Sequence, residues 1–577
     1  MKRTEIMEKK NKIKCHKCGR KEKVMKKKRI LAMILASTMV MTACGSSSST
    51  QGEGTEGQSS EAGSKAEERV PVENYVPTYP IVEEPITVTG LVVGRDLSVS
   101  KDRLVWEKVE EVTGINIEWI NIDAESLSTY LAGNDWPDFF HTDEFTSSQV
   151  NDYGILGGRF VNYLDYLDIM PNLAKTYEDY PAALATSTQL NGEVYNLFQV
   201  GGPTPTGTTA RPHVRLDVLE AAGITELPKT VDELYDQLVT LKEKNGVPGM
   251  ILDVRFDMGM VPMLFASFGP LHNLNMDDDG TGKVVYSRVT DQMKHYYEFL
   301  NKLYEEELMN REWLTLDSTA LDQQAKSGQV AYVTAAAAQK LSKEDLNGNW
   351  DNLGTMAPLT SEYDDTQTLA GRVDYRAVSG MYINKDSQYV EELCKMFDIA
   401  FATEEVVEGS GLYGQTFTWG FEGTDWVLND DNTYDQIVPE QFGSFSEYQE
   451  QLLRWRDFGR ADAFGSAITS TEGNAQTRQK GYVENVIPYQ ITEHVFPAEP
   501  LGILKFTDEE QYVIDNKYAD ITLYVDEMQA KFITGVADIE KEWDTYVATC
   551  EQMGLNEVLE VYQASYDRWN EALNALE

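Results

Sequence analysis

Aromatic and planar polar side chains occur close together in three short segments of this 577-residue chain. An aromatic ring can cover the C–H face of a sugar ring, while carboxylate and guanidinium groups can hydrogen-bond the hydroxyls around it. Side chains of these types could therefore contact a sugar, and three groups are candidates for such contacts. They are Asp135, Trp136 and Asp138; Arg372, Asp374 and Tyr375; and Trp419, Glu422 and Trp426.

Each group also has an ordinary structural interpretation. Trp136 lies at a helix-to-strand junction, and α/β sheets bind ligands at the ends of their strands, but a Trp there can equally anchor a hydrophobic core. Arg372 and Tyr375 can form a surface ion pair and a packing contact. Glu422 can cap its own loop within the Gly-rich segment from Gly411 to Gly423.

The motifs of several enzyme and metal-binding classes are incomplete. Residues 202–208 have the glycine spacing of a phosphate-binding loop, but Thr208 stands where a Lys is required. Asn275 to Gly280 begins like a calcium loop, yet its twelfth position is Tyr286 instead of a bidentate Glu, so we interpret it as a hairpin turn. The six His include no i, i+4 pair, and no Gly-x-Ser-x-Gly elbow occurs. We expect no metal, no cofactor and no catalytic residue.

The N-terminal region has the composition of a secretory signal. Four basic residues, Lys26 to Arg29, precede about 12 mostly apolar residues, a run too short to span a bilayer, which takes about 20. The run ends at Met41-Thr42-Ala43-Cys44, which resembles the lipobox of bacterial lipoproteins. This resemblance implies that residues 1–43 are a signal peptide and that Cys44 becomes the lipidated N-terminus. The alternative is an ordinary signal with an incidental Cys44. Met25 is a second candidate start, because it begins a complete signal by itself.

The charge of the chain is strongly acidic, with 50 Lys and Arg against 94 Asp and Glu. Residues 1–43 hold 14 of the basic and 3 of the acidic residues, so the remainder carries 36 against 91, a formal charge of −55. Such a field opposes nucleic acid and anionic lipid surfaces, and it disfavours a polyanionic substrate. After Cys44 only Cys394 and Cys550 remain, which can form one disulfide or lie as core thiols.

The body of the chain alternates strand and helix patterns. Residues 45–70 are rich in Gly, Ser and Glu and predict a flexible linker, after which a Pro-punctuated stretch leads into the fold. The next segments read strand, helix, strand, helix, strand, which predicts a mostly parallel sheet covered by helices. The expected elements begin with strands at 86–93, 115–119 and 137–140 and helices at 102–113 and 126–132. They continue with helices at 214–222, 230–244, 292–307 and 388–403, strands at 283–286 and 377–383, and a helical C-terminal section at 515–576.

The order of these segments resembles the extracellular solute-binding proteins of bacterial ABC importers, in particular the large lipoprotein type that binds sugars. The resemblance covers roughly residues 86–577 and rests on several short motifs in series, none of them specific by itself. They are Ala132 to Asp138, Phe160 to Leu164, Pro171 to Leu173, Asn191 to Tyr195, Arg215 to Gly223, Leu227 to Thr230, Gly420 to Trp426, Lys531 to Gly535 and Ala564 to Trp569.

This resemblance implies an α/β, two-lobed periplasmic-binding-protein-like fold of type II, with a hinge between the lobes and extra C-terminal helices. The expected division is 44–85 for the lipidated Cys and linker, 86–211 plus about 384–470 for lobe 1, and 212–383 plus about 471–577 for lobe 2. A ligand would be captured in the cleft by hinge closure.

The implied function is that of a monomeric, lipid-anchored receptor on the extracellular face of the cell membrane. It would bind a carbohydrate, with aromatic content and size favouring an oligosaccharide, and deliver it to the permease subunits of an ABC transporter. A receptor for peptides or other solutes is the main alternative. A secreted glycoside hydrolase using two carboxylates is a further one, since an acidic chain offers many carboxylate pairs.

Overall fold

The computed structural model describes most of the chain beyond the predicted signal and linker. The described residues are 69–93, 104–133, 135–142, 145–200, 213–250, 264–270, 273–276, 282–333, 338, 341–370, 375–429, 433–437, 459–460, 468–469, 485, 487–491 and 504–576. Predictions that fall on Cys44, on 202–208 and on Arg372 and Asp374 lie outside these residues.

The described strands range from two to nine residues in length. In chain order they are β1 (Ile86–Val93), β2 (Ile115–Ile122), β3 (Phe139–Thr142), β4 (Leu197–Val200), β5 (His213–Arg215), β6 (Leu274–Met276), β7 (Val284–Tyr286), β8 (Tyr332–Val333), β9 (Leu353–Thr355), β10 (Leu369–Ala370), β11 (Tyr375–Ile383), β12 (Trp426–Leu428), β13 (Thr433–Gln436), β14 (Gly459–Arg460), β15 (Ile468–Thr469) and β16 (Gln490–Ile491).

The helices cover these strands and form the C-terminal section. In chain order they are α1 (Leu104–Thr113), α2 (Ala124–Leu131), α3 (Pro171–Asp179), α4 (Pro181–Ser187), α5 (Leu216–Ala222), α6 (Val231–Asn245), α7 (Asp291–Glu305), α8 (Ser318–Lys326), α9 (Val390–Asp398), α10 (Gly414–Trp419), α11 (Asp508–Val513), α12 (Ala519–Ile533), α13 (Ile539–Gln552) and α14 (Leu555–Leu576). Shorter helical turns lie between several of them.

A six-stranded sheet in the order β14-β4-β11-β3-β1-β2 organises the first part of the fold. Strand β1 runs parallel to β2 and β3, β14 runs parallel to β4, and β11 is antiparallel to both β3 and β4. Five strands therefore share one direction, which confirms the predicted mostly parallel sheet. Its two faces are hydrophobic because Val88, Val92 and Phe139 bury on one side while Leu91 and Phe140 bury on the other.

A smaller sheet, β8-β5-β9, organises the second part, and both outer strands are antiparallel to β5. Here the predicted helix over 214–222 was wrong at its start, because His213 to Arg215 form β5 and helix α5 begins only at Leu216. The helix predicted over 230–244 is confirmed as α6, which is capped by Thr230. Its hydroxyl accepts a 3.1 Å hydrogen bond from the backbone N–H of Glu233, and α6 then runs to Asn245 before Gly246 adopts a φ of 72°.

The C-terminal helices contact both parts of the molecule. Gln563 of α14 accepts a 2.7 Å hydrogen bond from the backbone N–H of Val284 in β7, and it donates to the carbonyl of Gly282 at 3.0 Å. On the same helix, the indole Nε1 of Trp569 donates to the hydroxyl of Thr186 in α4 at 3.2 Å. Helix α14 therefore bridges the hairpin of the second part and a helix beside the first sheet.

Two further predictions concern local features. Strands β6 and β7 pair antiparallel with Met276 opposite Val284, which confirms a hairpin where the incomplete calcium motif stands. Cys394 and Cys550 are both buried free thiols, so the possible disulfide is not formed. Among the described residues no helix is both long and apolar enough to cross a membrane.

Arg69, at the end of the predicted linker over residues 45–70, is docked on the first part. The guanidinium of Arg69 forms two hydrogen bonds to the carboxylate of Asp168, at 2.7 and 2.9 Å, and a 3.1 Å bond to Glu391. Its carbon atom Cζ lies 4.6 Å from the ring centroid of Tyr166. Among the described residues, contacts with the first part therefore begin at Arg69, ahead of the first strand.

Candidate functional site

The strand directions of the six-stranded sheet define where a ligand would bind. Ligands of open α/β sheets bind outside the carboxyl ends of the parallel strands. In this sheet those ends are Val93, Ile122, Thr142, Val200 and Arg460. Strand β11 runs the other way, so its first residue lies at the same edge, where Tyr375 pairs with Val200. We refer to these six residues as the carboxyl edge.

The chain passes from the first sheet to the second between β4 and β5. Residues 201–212 connect Val200 at the end of β4 to His213 at the start of β5. His213 pairs with Val333 and with Thr355, the last residues of β8 and β9. His213 therefore lies at the edge of the second sheet where β8 and β9 end, and the chain reaches that edge after leaving the carboxyl edge of the first sheet.

Helix α10, which contains Trp419, packs at the carboxyl edge. A Cβ built on Gly414 would lie 2.3 Å from the carbonyl oxygen of Arg460, so the helix starts directly against the end of β14. Phe417 packs edge-on against Trp106 in the first turn of α1, with ring centroids 5.8 Å apart. Because α1 follows β1, its first turn also lies toward that edge. The structure thus places the backbone of Trp419 there.

The segment after α10 forms a closed loop fastened by its own residues. The fully buried carboxylate of Asp425 accepts a 2.7 Å hydrogen bond from the backbone N–H of Phe421. The indole Nε1 of Trp426 donates to the carbonyl of Gly420 at 3.1 Å, and the N–H of Gly423 donates to the carbonyl of Trp426 at 2.6 Å. Trp426 is buried, with 2% of its surface exposed. Trp426 therefore packs inside the loop.

Glu422 lies on the outside of that loop. Its side chain is exposed, and the backbone on either side is held by the bonds of Phe421 and Gly423. Burial raises the pKa of Tyr413 to about 12, with smaller contributions from the nearby charges of Glu422 and Glu405. Glu422 and Tyr413 therefore lie close enough to interact, one past the end and one before the start of α10. A carboxylate and a phenol so placed can both hydrogen-bond hydroxyl groups.

Trp136 lies at the opposite edge of the sheet, among aromatic neighbours. Its ring packs edge-on against Phe140, at 5.0 Å between centroids, and tilted against Phe160, at 5.4 Å. The guanidinium carbon of Arg159 lies 3.5 Å from the ring centroid, and Nε1 donates to the carbonyl of Leu131 at 3.1 Å. These contacts occupy one face, two sides and the polar atom of the indole. They favour the interpretation of Trp136 as a packing anchor.

Asp138 precedes β3 and ties three parts of the sheet together. Its carboxylate accepts hydrogen bonds from the backbone N–H of Thr89 at 2.7 Å, the hydroxyl of Thr89 at 2.8 Å and the hydroxyl of Ser387 at 2.6 Å. The backbone of Asp138 accepts from the N–H of Asn384 at 2.9 Å. Asp138 therefore links β1, β3 and the end of β11 at the amino edge. Asp135 is exposed nearby.

The three predicted groups thus separate into two places. The backbones of Tyr375 and Trp419, with Glu422 and Trp426, lie at or near the carboxyl edge, whereas Asp135, Trp136 and Asp138 lie at the amino edge. A helix-to-strand junction enters a parallel strand at its amino end, which explains the difference. Ligand contact by any of these residues stays a prediction.

One ion pair at the carboxyl edge, between a buried Arg and an exposed Asp, was not anticipated from the sequence. The guanidinium of Arg460 donates to the carboxylate of Asp179 at 3.0 Å and lies 5.2 Å from the ring centroid of Tyr180. Arg460 is 8% exposed. It joins the end of β14 to the junction of α3 and α4. Nothing in the short sequence around Arg460 indicated a strand, so no pattern pointed to this pair.

The described residues contain no cluster of three or more His, Cys, Asp or Glu side chains that could hold a metal ion. Two sheets, the first with hydrogen-bonding groups on a fixed loop at its carboxyl edge, are the arrangement expected for the class of two-lobed α/β solute-binding proteins.

The comparisons with known proteins agree with this class. Residues 96–407 match the model of the family described as bacterial extracellular solute-binding protein. The match spans more than half of the chain, so this protein belongs to that family.

Individual relatives extend the match over nearly the whole chain. The fructooligosaccharide ABC transporter substrate-binding protein FusA of Streptococcus pneumoniae serotype 4 is 23% identical over 532 residues, 85% of this chain and 92% of FusA. A solved human-milk-oligosaccharide-binding (HMO) solute-binding protein from Bifidobacterium longum infantis superposes with a TM-score of 0.65 at 18% identity, covering 85% of this chain and 99% of that one. A FusA mutant in complex with fructo-nystose superposes with a TM-score of 0.63 at 21% identity, covering 84% and 100%. These neighbours are two-lobed, which confirms the predicted fold.

Proposed function

We propose that this protein is the substrate-binding component of an ABC importer and captures a carbohydrate, an oligosaccharide rather than a monosaccharide, between its two lobes. The observation that carries the proposal is its membership of the solute-binding family combined with a full-length relative, FusA, whose name specifies fructooligosaccharide. The HMO-binding neighbour is a second protein of this fold that takes an oligosaccharide.

The geometry supports a site at the carboxyl edge. Exposed Glu422 and half-buried Tyr413 offer hydroxyl-binding groups there, and Tyr375 begins the strand that pairs with the end of β4. We place Trp419 and Tyr375 as ring contacts for the sugar, with Arg372 and Asp374 beside Tyr375 as hydroxyl ligands. Trp136 and Asp138 take structural roles in this proposal, and Asp135 has none.

We assign the lobe boundaries by sheet membership. Because β11 belongs to the first sheet, we propose that the chain returns to the first lobe between Ala370 and Tyr375, earlier than the return near Asn384 expected from the sequence. We propose the first crossing between Val200 and His213, in the region of the crossing expected near Arg211. Helix α14 contacts both lobes and would lie beside the hinge.

The remaining parts of the proposal concern the cell. The lipobox-like segment supports acylation at Cys44 after removal of residues 1–43, so that the protein stands on the extracellular side of the membrane as a monomer. Its partners would be the permease subunits that receive the sugar. The acidic charge of the chain, −44 overall, favours a neutral sugar over a polyanionic one.

A thermal-shift screen tests the function. Protein produced from residue 45 onward is heated with kestose, longer fructooligosaccharides, milk oligosaccharides, N-glycan fragments, monosaccharides and short peptides, and each ligand is recovered and examined for cleavage. A ligand that binds the native state raises the melting temperature by mass action. Stabilisation by an intact oligosaccharide supports the proposal. Stabilisation by peptides alone would indicate a peptide-binding protein, and cleavage of the sugar would indicate a hydrolase.

A further inference from the structure

The loop Gly420–Trp426 is built around a carboxylate that meets no solvent. Asp425 has no exposed surface, and its Oδ2 accepts the 2.7 Å hydrogen bond from Phe421. Its backbone carbonyl accepts a 2.8 Å hydrogen bond from the N–H of Ile437, which ties the loop to the strand pair β12–β13. A buried carboxylate with backbone partners fixes the conformation of the chain around it, because losing a partner leaves a buried polar group unsatisfied.

The residue that ends helix α10 is matched to this carboxylate. Gly420 has a φ of 83°, and a Cβ built on it would lie 2.4 Å from the Oδ2 of Asp425. Only a glycine therefore lets the chain reverse here while the carboxylate stays in place. The N–H of Gly420 closes the helix by donating to the carbonyl of Thr416 at 3.0 Å, and its own carbonyl accepts from the indole of Trp426. The end of α10 is thus held from both sides.

These bonds converge on the two neighbours that the proposed function uses. Trp419 is the residue immediately before Gly420, and Glu422 is the exposed residue between the fastened Phe421 and Gly423. Phe421 itself packs against Gly411, where a Cβ would lie 2.8 Å from its ring. The backbone beside each proposed ligand-binding residue, Trp419 and Glu422, is therefore fixed by contacts with buried groups.

We propose that Asp425 is a positioning residue of the ligand site, that Trp426 helps it by bonding the end of α10, and that neither touches the ligand. Together they hold the end of α10 and the outer turn so that Trp419 and Glu422 are presented to the sugar in one fixed arrangement. A site held in place before the ligand arrives binds more tightly, since less conformational freedom is lost on binding. The inference rests on the proposed function and assigns Trp426 a role different from the ligand contact expected from the sequence.

The experiment compares Asp425→Ala with Asp425→Asn in protein produced from residue 45 onward. Asparagine keeps an acceptor oxygen for the N–H of Phe421, whereas alanine removes it. Glu408→Ala, an exposed position on the preceding turn, is the control. The probe is the panel oligosaccharide that gives the largest rise in melting temperature, and dissociation constants are measured by calorimetry well below the melting temperature of each variant.

We expect Asp425→Ala to raise the dissociation constant at least about tenfold, because Trp419 and Glu422 would no longer be held in place to contact the sugar. Asp425→Asn and Glu408→Ala should change the dissociation constant less than about threefold. In a Trp419→Ala/Glu422→Ala background, Asp425→Ala should add little, which a purely structural role would not produce. Amide exchange of residues 420–426 should be faster in Asp425→Ala in the absence of sugar.

The outcomes separate this inference from the proposed function. Unchanged affinity in Asp425→Ala, or an equal loss in the Trp419→Ala/Glu422→Ala background, would overturn the positioning role while sugar binding stands. Absence of binding by every panel sugar in the unaltered protein would overturn both.

Discussion

The carboxylate of Asp398 accepts a 2.8 Å hydrogen bond from the backbone N–H of Leu173, a partner 225 residues away in the sequence. The same carboxylate accepts from the side chain of Asn172 at 2.9 Å and from its backbone N–H at 3.3 Å. Asp398 ends α9, and Asn172 and Leu173 lie in the first turn of α3, so one buried side chain caps a helix from across the first lobe.

This cap predicts a pH dependence of stability. Burial raises the pKa of Asp398 to about 7 from 3.8, against the opposing effect of its three hydrogen bonds. Because the pKa is higher in the folded state than in the unfolded state, protonated Asp398 contributes to the free energy of unfolding. This contribution is complete below about pH 4 and is lost as the pH rises through 7, a loss on the order of 4 kcal/mol. In Asp398→Asn, which resembles the protonated acid, the free energy of unfolding should depend less on pH between 4 and 8.

Urea unfolding at several pH values measures this difference. Asp386→Asn, an exposed position, is the matched control and should keep the pH dependence of the unaltered protein. A pH profile of Asp398→Asn that parallels that of the unaltered protein would show that Asp398 is ionised in the folded state at all these pH values.

Asp138 is expected to affect stability and leave sugar affinity unchanged. Asp138→Ala removes three accepted hydrogen bonds, from Thr89 and Ser387, and should lower the free energy of unfolding by about 2–3 kcal/mol, since the donors lose a charged partner. Asp135→Ala, at an exposed neighbouring position, should change neither the free energy of unfolding nor the affinity for sugar. A dissociation constant that rises more than about tenfold at unchanged stability would return Asp138 to the ligand site.

Arg215 anchors the second lobe. It is fully buried, its guanidinium pairs with both carboxylate oxygens of Asp217 at 2.7 and 2.9 Å, and it donates to the carbonyl of Ala325 at 3.1 Å. Arg215→Ala should therefore cost about 3–5 kcal/mol in urea unfolding. Arg311→Ala breaks the exposed pair with Glu307 and should cost under about 1 kcal/mol. Similar losses in the two variants would mean that the Arg215 pair contributes no more than a surface contact.

The proposed lipid anchor is tested in cells. Cys44→Ser should abolish incorporation of labelled palmitate and shift the protein out of the membrane fraction, because a secreted protein without an acyl chain lacks that attachment. Cys18→Ser lies within the predicted signal and should have no effect. Palmitate labelling that persists in Cys44→Ser would identify a different acylation site, and absence of labelling in the unaltered protein would indicate an ordinary signal with an incidental Cys44.

The elements predicted well are those whose periodicity reflects burial. Ile86–Val93 and Ile115–Ile122 are strands, as their apolar patterns indicated, and the helix predicted over 230–244 is α6. Strand β5 was missed because two of its three residues, His213 and Arg215, are polar and yet fully buried. Their partners lie in distant segments, so the local pattern gave no sign of them.

The site was harder to predict because it depends on strand direction and on long-range partners. A Trp just before a strand and a Trp at the last residue of a helix look equivalent in sequence, but Trp136 lies at the amino edge and the backbone of Trp419 at the carboxyl edge. Asp425 resembles an ordinary turn residue, and only the fold shows that it is buried against Phe421 and Gly420.

The most direct test of capture between the lobes is small-angle X-ray scattering of the protein from residue 45 onward, with and without the best-stabilising oligosaccharide. Hinge closure around a ligand should lower the radius of gyration, and the sugar should be recovered intact. An unchanged radius of gyration at saturating sugar, or a sugar recovered in cleaved form, would contradict the proposed capture.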